Sequence, residues 1–131
     1  MKSLHQVLFN FWSQFTHNGK EIPAYYAGMV PEDAKFPYNT FSVSRGEAFS
    51  QGINTVFFWF RREDGQSPLP KIAAVFDEVE NAIPAGGVLL KVDGGCAAIY
   101  RNSSDWLTYM QDAEDPDVWG GRVSYQINYY L

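Results

Sequence analysis

One cysteine, Cys96, is the only thiol in the 131-residue chain. That excludes an internal disulfide and suits a reducing compartment without requiring one. Long apolar runs are also missing: none reaches the roughly 18 residues that a membrane-crossing helix needs. Near the amino end His5, Gln6, Asn10 and Gln14 interrupt the basic-then-apolar layout of a secretion signal, so no such leader is expected. Histidine is scarce. His5 and His17 lie 12 positions apart, with no CxxC or HExxH spacing to join them to Cys96. Two surface histidines and a small buried cysteine are a plainer reading than a metal or thiol–imidazole site. Positive charge is in deficit, 10 Lys and Arg against 15 Asp and Glu, net −5. That balance argues against nucleic acid as the main partner. The glycines at 86, 87, 94 and 95 lack the spacing of a phosphate-binding loop. No catalytic set with a recognised spacing occurs, so neither an enzyme nor a cofactor is expected.

Aromatic residues are plentiful, at 17% of the chain. Aromatics in excess of a small core collect at interfaces. The stretch Ile53–Arg62 reads as the strand around which the rest is organised, because β-branched and aromatic residues dominate it. At period two, Ile53, Thr55, Phe57 and Trp59 share one face, and Asn54, Val56, Phe58 and Phe60 share the other. Both faces are apolar at the centre, so both require cover. A domain of this size covers one with its own helices.

Ser3 and Gln6 form a capping-box pattern ahead of the helical stripe Leu4, Val7, Leu8, Phe11 and Phe15, which Trp12 widens. Asn18-Gly19 is read as the stop of that helix. Residues 21–37 are punctuated by Pro23, Gly28, Pro31 and Pro37 and read as loop, with one short strand or turn near Ala24–Met29. Tyr38–Val43 reads as a strand, broken by Ser44-Arg45-Gly46-Glu47. After the turn signal Asp64-Gly65, Pro70 opens a second helix with the stripe Ile72, Val75, Phe76, Val79 and Ile83. Val88–Val92 and Cys96–Arg101 flank Asp93-Gly94-Gly95, a hairpin signal. Trp106–Met110 fits a strand or a helical turn, Gln111–Gly121 an acidic loop, and Arg122–Leu131 a strand with Val123, Tyr125, Ile127, Tyr129 and Leu131 on one face. The order predicts a single domain over residues 1–131 of the α+β class: a mostly antiparallel sheet of about five strands with two amphipathic helices packed on one face.

The acidic stretch holds Asp112, Glu114, Asp115 and Asp117. Clustered carboxylates suit calcium, but the EF-hand glycine and glutamate positions are not filled. A solvated loop and a loop meeting a basic partner are the other readings.

The order of motifs resembles the small tail-terminator or tail-completion proteins of tailed bacteriophages and prophages. The resemblance covers most of the chain. It is carried by the first helix, the Phe36-Pro37-Tyr38-Asn39-Thr40-Phe41 lead-in to a strand, and the run Phe58-Trp59-Phe60-Arg61. An amphipathic helix, a hairpin, an acidic stretch near Asp112 and the closing Ile127-Asn128-Tyr129-Tyr130-Leu131 follow in the same order. Within residues 19–35 and 111–121 no residue is carried over from the family. The resemblance implies a structural subunit that forms a ring, commonly of six, at the head-proximal end of the tail tube. Such a subunit joins the tube to the head connector, in the virion tail and, during assembly, in the host cytoplasm. Its partners would be further copies of itself, tail-tube protein and connector protein, with no cofactor. Contact candidates are then Phe41, Trp59, Trp106, Tyr129 and Tyr130, with Asp112, Glu114, Asp115 and Asp117 facing the next subunit or the tube. The alternative from a different class is a small aromatic-rich module that binds a ligand or peptide; another head–tail joining component is a third reading.

Overall fold

The computed structural model describes residues 3–42 and 51–130. Val43, the Ser44–Glu47 break and Leu131 lie outside that range. The protein is α+β, with two helices and a mostly antiparallel sheet. The sheet has seven strands rather than about five, and a separate two-stranded ribbon stands beside it. No helix among the described residues is long and apolar enough to cross a membrane.

Helix α1 spans Leu4–Trp12. The Ser3 hydroxyl accepts the Gln6 N–H at 3.3 Å, so the predicted cap forms. The stripe buries Leu4, Leu8, Phe11 and Trp12. The helix stops earlier than the periodicity predicts, and Phe15 reaches the core from beyond it. Asn18-Gly19 is not the helix stop. Both residues have positive φ (53° and 76°), and they turn a ribbon of β1, Thr16–His17, against β2, Lys20–Glu21. Asn-Gly is the strongest short-range hairpin signal, and here the turn chemistry outweighs the capping reading.

Strand β3, Ala24–Tyr26, pairs in parallel with β4, Tyr38–Phe41, which pairs antiparallel with β5, Gln51–Arg61. Helix α2 follows, Leu69–Ala82, one residue ahead of the expected Pro70 start. Ile72, Val75, Phe76, Val79 and Ile83 are all buried, as the stripe predicts. Each such side chain is worth about 1.5–3 kcal/mol on burial. The Arg101 guanidinium closes the far end of α2: Nε donates to the Ile83 carbonyl at 2.8 Å and a terminal nitrogen donates to that of Glu80 at 3.2 Å. The hairpin is present as β6, Val88–Val92, and β7, Gly95–Arg101, with Asp93-Gly94 at the turn. The ambiguous segment is a strand, β8, Leu107–Gln111.

The organising element is the closing strand β9, Val118–Tyr130, rather than β5. Along one edge it pairs with all of β5. Along the other it pairs with β7 through residues 125–130 and with β8 through residues 119–123. Residues 118–121, read from the sequence as loop, belong to this strand. Their glycines mark close approach instead of a turn. A Cβ on Gly121 would lie 2.5 Å from Ile72 Cγ2, because α2 rests on the strand there.

Both helices take one face of the sheet. Asn54, Val56, Phe58 and Phe60 from β5 and Val123, Tyr125, Ile127 and Tyr129 from β9 are buried beneath them. Among the described residues no helix packs on the opposite face: Ile53 is 63% exposed and Leu89 65%. Thr55, Phe57 and Trp59 are half-buried there. The two-faced reading of β5 therefore holds residue by residue.

Candidate functional site: an aromatic groove at one end of the open sheet face

Three of the contact candidates are used up within the chain. Phe41 is fully buried in contact with Phe9 and Tyr26; Trp106 and Tyr129 are also core residues. The Arg101 guanidinium sits 4.7 Å above the Trp106 ring. All three are buried, so they leave little surface to a partner. Trp59 and Tyr130 are half-buried on the open face.

Trp59, Asp112 and Asp115 do come together. With Phe36, Tyr38 and Thr40 they line a groove of about 420 Å³, where β4, β5 and the loop before β9 meet. Its floor follows from the register: Tyr38 lies opposite Trp59, and Thr40 opposite Phe57, on one face of adjacent strands. The Trp59 ring occupies the space where Gly120, its partner on β9, would carry a Cβ; that atom would fall 2.8 Å from Trp59 Cζ3. Trp59 Nε1 donates to Thr40 Oγ1 at 3.0 Å, which fixes the ring plane. Phe57 and Trp59 stack with centroids 5.3 Å apart and planes 15° from parallel. Phe36 and Tyr38 stack at 5.1 Å and 26°. Phe36 and Tyr38 were not among the candidates. The sequence signal for them is that Tyr38 and Thr40 share a period-two face that belongs beside Phe57 and Trp59.

The loop from Asp112 to Asp117 is ordered by its own hydrogen bonds and by two arginines. Asp112 Oδ2 accepts the N–H of Asp115 at 2.9 Å and of Glu114 at 3.3 Å. Arg61 is hydrogen-bonded to Asp115 and lies 3.7 Å from Asp117; Arg62 lies 3.6 Å from Asp117. The Arg61 hydrogen bond holds the Asp115 carboxyl below the usual carboxylate range, and the Asp117 N–H adds to this. Asp112 has no basic partner among the described residues. Burial pushes the Tyr38 hydroxyl up, and the Asp112 charge raises it further.

The histidines and the cysteine do not meet. His5 Nδ1 is 3.1 Å from the Tyr26 hydroxyl, and His17 packs edge-on against Phe60. Among the described residues no group of three or more His, Cys, Asp or Glu is placed to hold a metal ion. The arrangement can stack planar or cationic groups on aromatic faces beside one uncompensated carboxylate. Comparison with protein-family models, curated proteins and solved structures finds no match to the chain.

Proposed function

We propose that this protein is a structural subunit of a phage or prophage tail, resembling tail-terminator proteins, that joins copies of itself into a ring at the head-proximal end of the tail tube. In this reading it works by binding alone, without a reaction or a cofactor, and it meets the tube and the head connector through the ring. The observation that supports it is the sheet face on which no helix packs among the described residues. Ile53, Leu89 and Met110 are exposed there, and Phe57 and Trp59 are half-exposed beside them. Ile53, Phe57 and Trp59 follow one line along β5, with Met110 beyond Gly120 at its end, and apolar side chains gathered on one face mark an interaction surface. Ring contacts are heterologous and close by rotation, so one such face can meet a different face on the next copy.

Native mass by light scattering, over a wide range of protein concentration and with purified tail tubes added, tests the reading. A ring-sized species is expected, free or on the tube, and Ile53→Asp with Phe57→Glu should abolish it while leaving the fold intact. A monomer at every concentration that also ignores tail tubes overturns it. The second reading, a ligand- or peptide-binding module, is favoured by the groove beside Trp59.

A further inference from the structure

Two polar groups of the groove are engaged: the Trp59 N–H donates to the Thr40 hydroxyl oxygen, and the Asp115 carboxylate is held by Arg61. A neutral ligand such as a sugar needs several free donors and acceptors, and these walls offer few. Two things remain: the ring surface of Trp59 and Tyr38 that their stacking partners Phe57 and Phe36 leave open to the groove, and the charge of Asp112. One Asp112 oxygen holds the loop amides, and no cation of this chain answers its charge among the described residues. Aromatic faces beside a free carboxylate select a cation. A planar guanidinium stacks on rings and hydrogen-bonds a carboxylate in the same plane, which a rounded ammonium does less well.

We infer that the groove seats an arginine side chain presented by a partner protein, its guanidinium lying on the Trp59 and Tyr38 rings and its charge meeting Asp112. The inference stands apart from ring assembly, because the groove is complete within one chain. It is one end of the open face, so a partner that covers that face can place an arginine there.

The test is a titration of the ¹⁵N-labelled protein with N-acetyl-arginine N-methylamide, followed on the indole N–H signals. The Trp59 signal is identified by its loss in Trp59→Leu. The citrulline analogue, planar but neutral, is the control. The Trp59 signal should shift saturably with the arginine probe, and the citrulline probe should bind at least about fivefold more weakly. Asp112→Asn should weaken arginine binding by about threefold to fivefold and flatten its salt dependence. Its amide oxygen can still accept the two loop N–H groups, so the loop should persist. Ile53→Asp, which should block ring formation, should keep the arginine site. Absence of a saturable shift with arginine, equal binding of the citrulline analogue, or an unchanged affinity in Asp112→Asn each overturns the inference. Loss of rings with retained arginine binding leaves it in place.

Discussion

Gly120 and Gly121 are neighbours on β9, yet the same substitution should act differently on each. An alanine methyl at 121 would sit 2.5 Å from Ile72 Cγ2 and 2.9 Å from two ring carbons of Phe76. Carbon atoms pack at about 3.5–4.0 Å, so both side chains must retreat by about 1 Å. Ile72 is fully buried on α2, so the retreat shifts the helix itself. Overpacking of this kind costs about 1–3 kcal/mol. Replacing glycine restores about 0.4–1 kcal/mol through the unfolded chain. Gly121→Ala should therefore lose about 1–2 kcal/mol, or about 4–7 °C in Tm for a chain of this size. At 120 the methyl meets Trp59 Cζ3 at 2.8 Å, but that ring is half-exposed and can tilt. Gly120→Ala should change stability by less than about 0.5 kcal/mol. It should nevertheless break the Trp59–Thr40 bond and move the Trp59 indole signal. Urea unfolding followed by circular dichroism gives the energies. A double-mutant cycle of Gly121→Ala with Ile72→Ala should show a favourable coupling of at least about 1 kcal/mol, since the new methyl fills part of the space that Ile72 leaves. Equal stability losses at 120 and 121, or strict additivity with Ile72→Ala, would refute the packing argument.

Three further outcomes follow from groups already described. Asn39, fully buried, donates from Nδ2 to the Trp12 carbonyl at 2.8 Å, an end-of-helix acceptor with no partner inside α1. Asn39→Ala should cost about 1–3 kcal/mol in urea unfolding, and a cost near zero would remove that bond from the reasoning. Burial, assisted by Lys71 and opposed by Glu63, holds the His17 imidazole below its ordinary value. The unfolded chain then binds the proton more readily, so this contribution is complete above the ordinary imidazole pKa of about 6.5 and is lost as pH falls from there through the lowered folded-state value. The urea midpoint should drop between about pH 7 and pH 5, and the drop should shrink in His17→Gln; an unchanged slope excludes His17 as its source. Finally, Arg61→Ala should let the Asp115 carboxyl titrate closer to its ordinary range in a side-chain NMR titration, whereas an unmoved Asp115 would leave the backbone N–H of Asp117 as the main cause.

The periodic elements were readable because burial and periodicity agree. The α2 stripe, the faces of β5 and the alternation of β9 are each one face turned to one core. Misreadings arose where a residue type serves two purposes. Asn-Gly marks both a helix end and a hairpin, and only the strand partners of Thr16 and His17 decide between them. Gly120-Gly121 looks like loop because the reason for the missing side chains, Trp59 on one face and Ile72 on the other, lies 49 or more residues away in sequence. The candidate site was legible in part for the same reason. Trp59 and the acidic loop stand out by composition, but that Tyr38 faces Trp59 is a matter of register, and register is not written locally. Aromatic character alone could not separate Phe41, Trp106 and Tyr129, which are core, from Trp59, which is not.

The position of β9 bears on how the chain is made. Its two long neighbours, β5 and β7, are not paired with each other; each pairs with residues in 118–130, which join the two halves of the sheet. During synthesis Phe58, Val56 and the α2 stripe emerge from the ribosome well before the strand that completes their layer. Until then β5 has a bare edge and an uncovered apolar side, and the pairing it awaits is of long range, which slows folding and favours association with other nascent chains. Productive folding is thus deferred until residues 118–130 have emerged, and truncation before residue 118 should leave a chain that depends on chaperones instead of a smaller folded one.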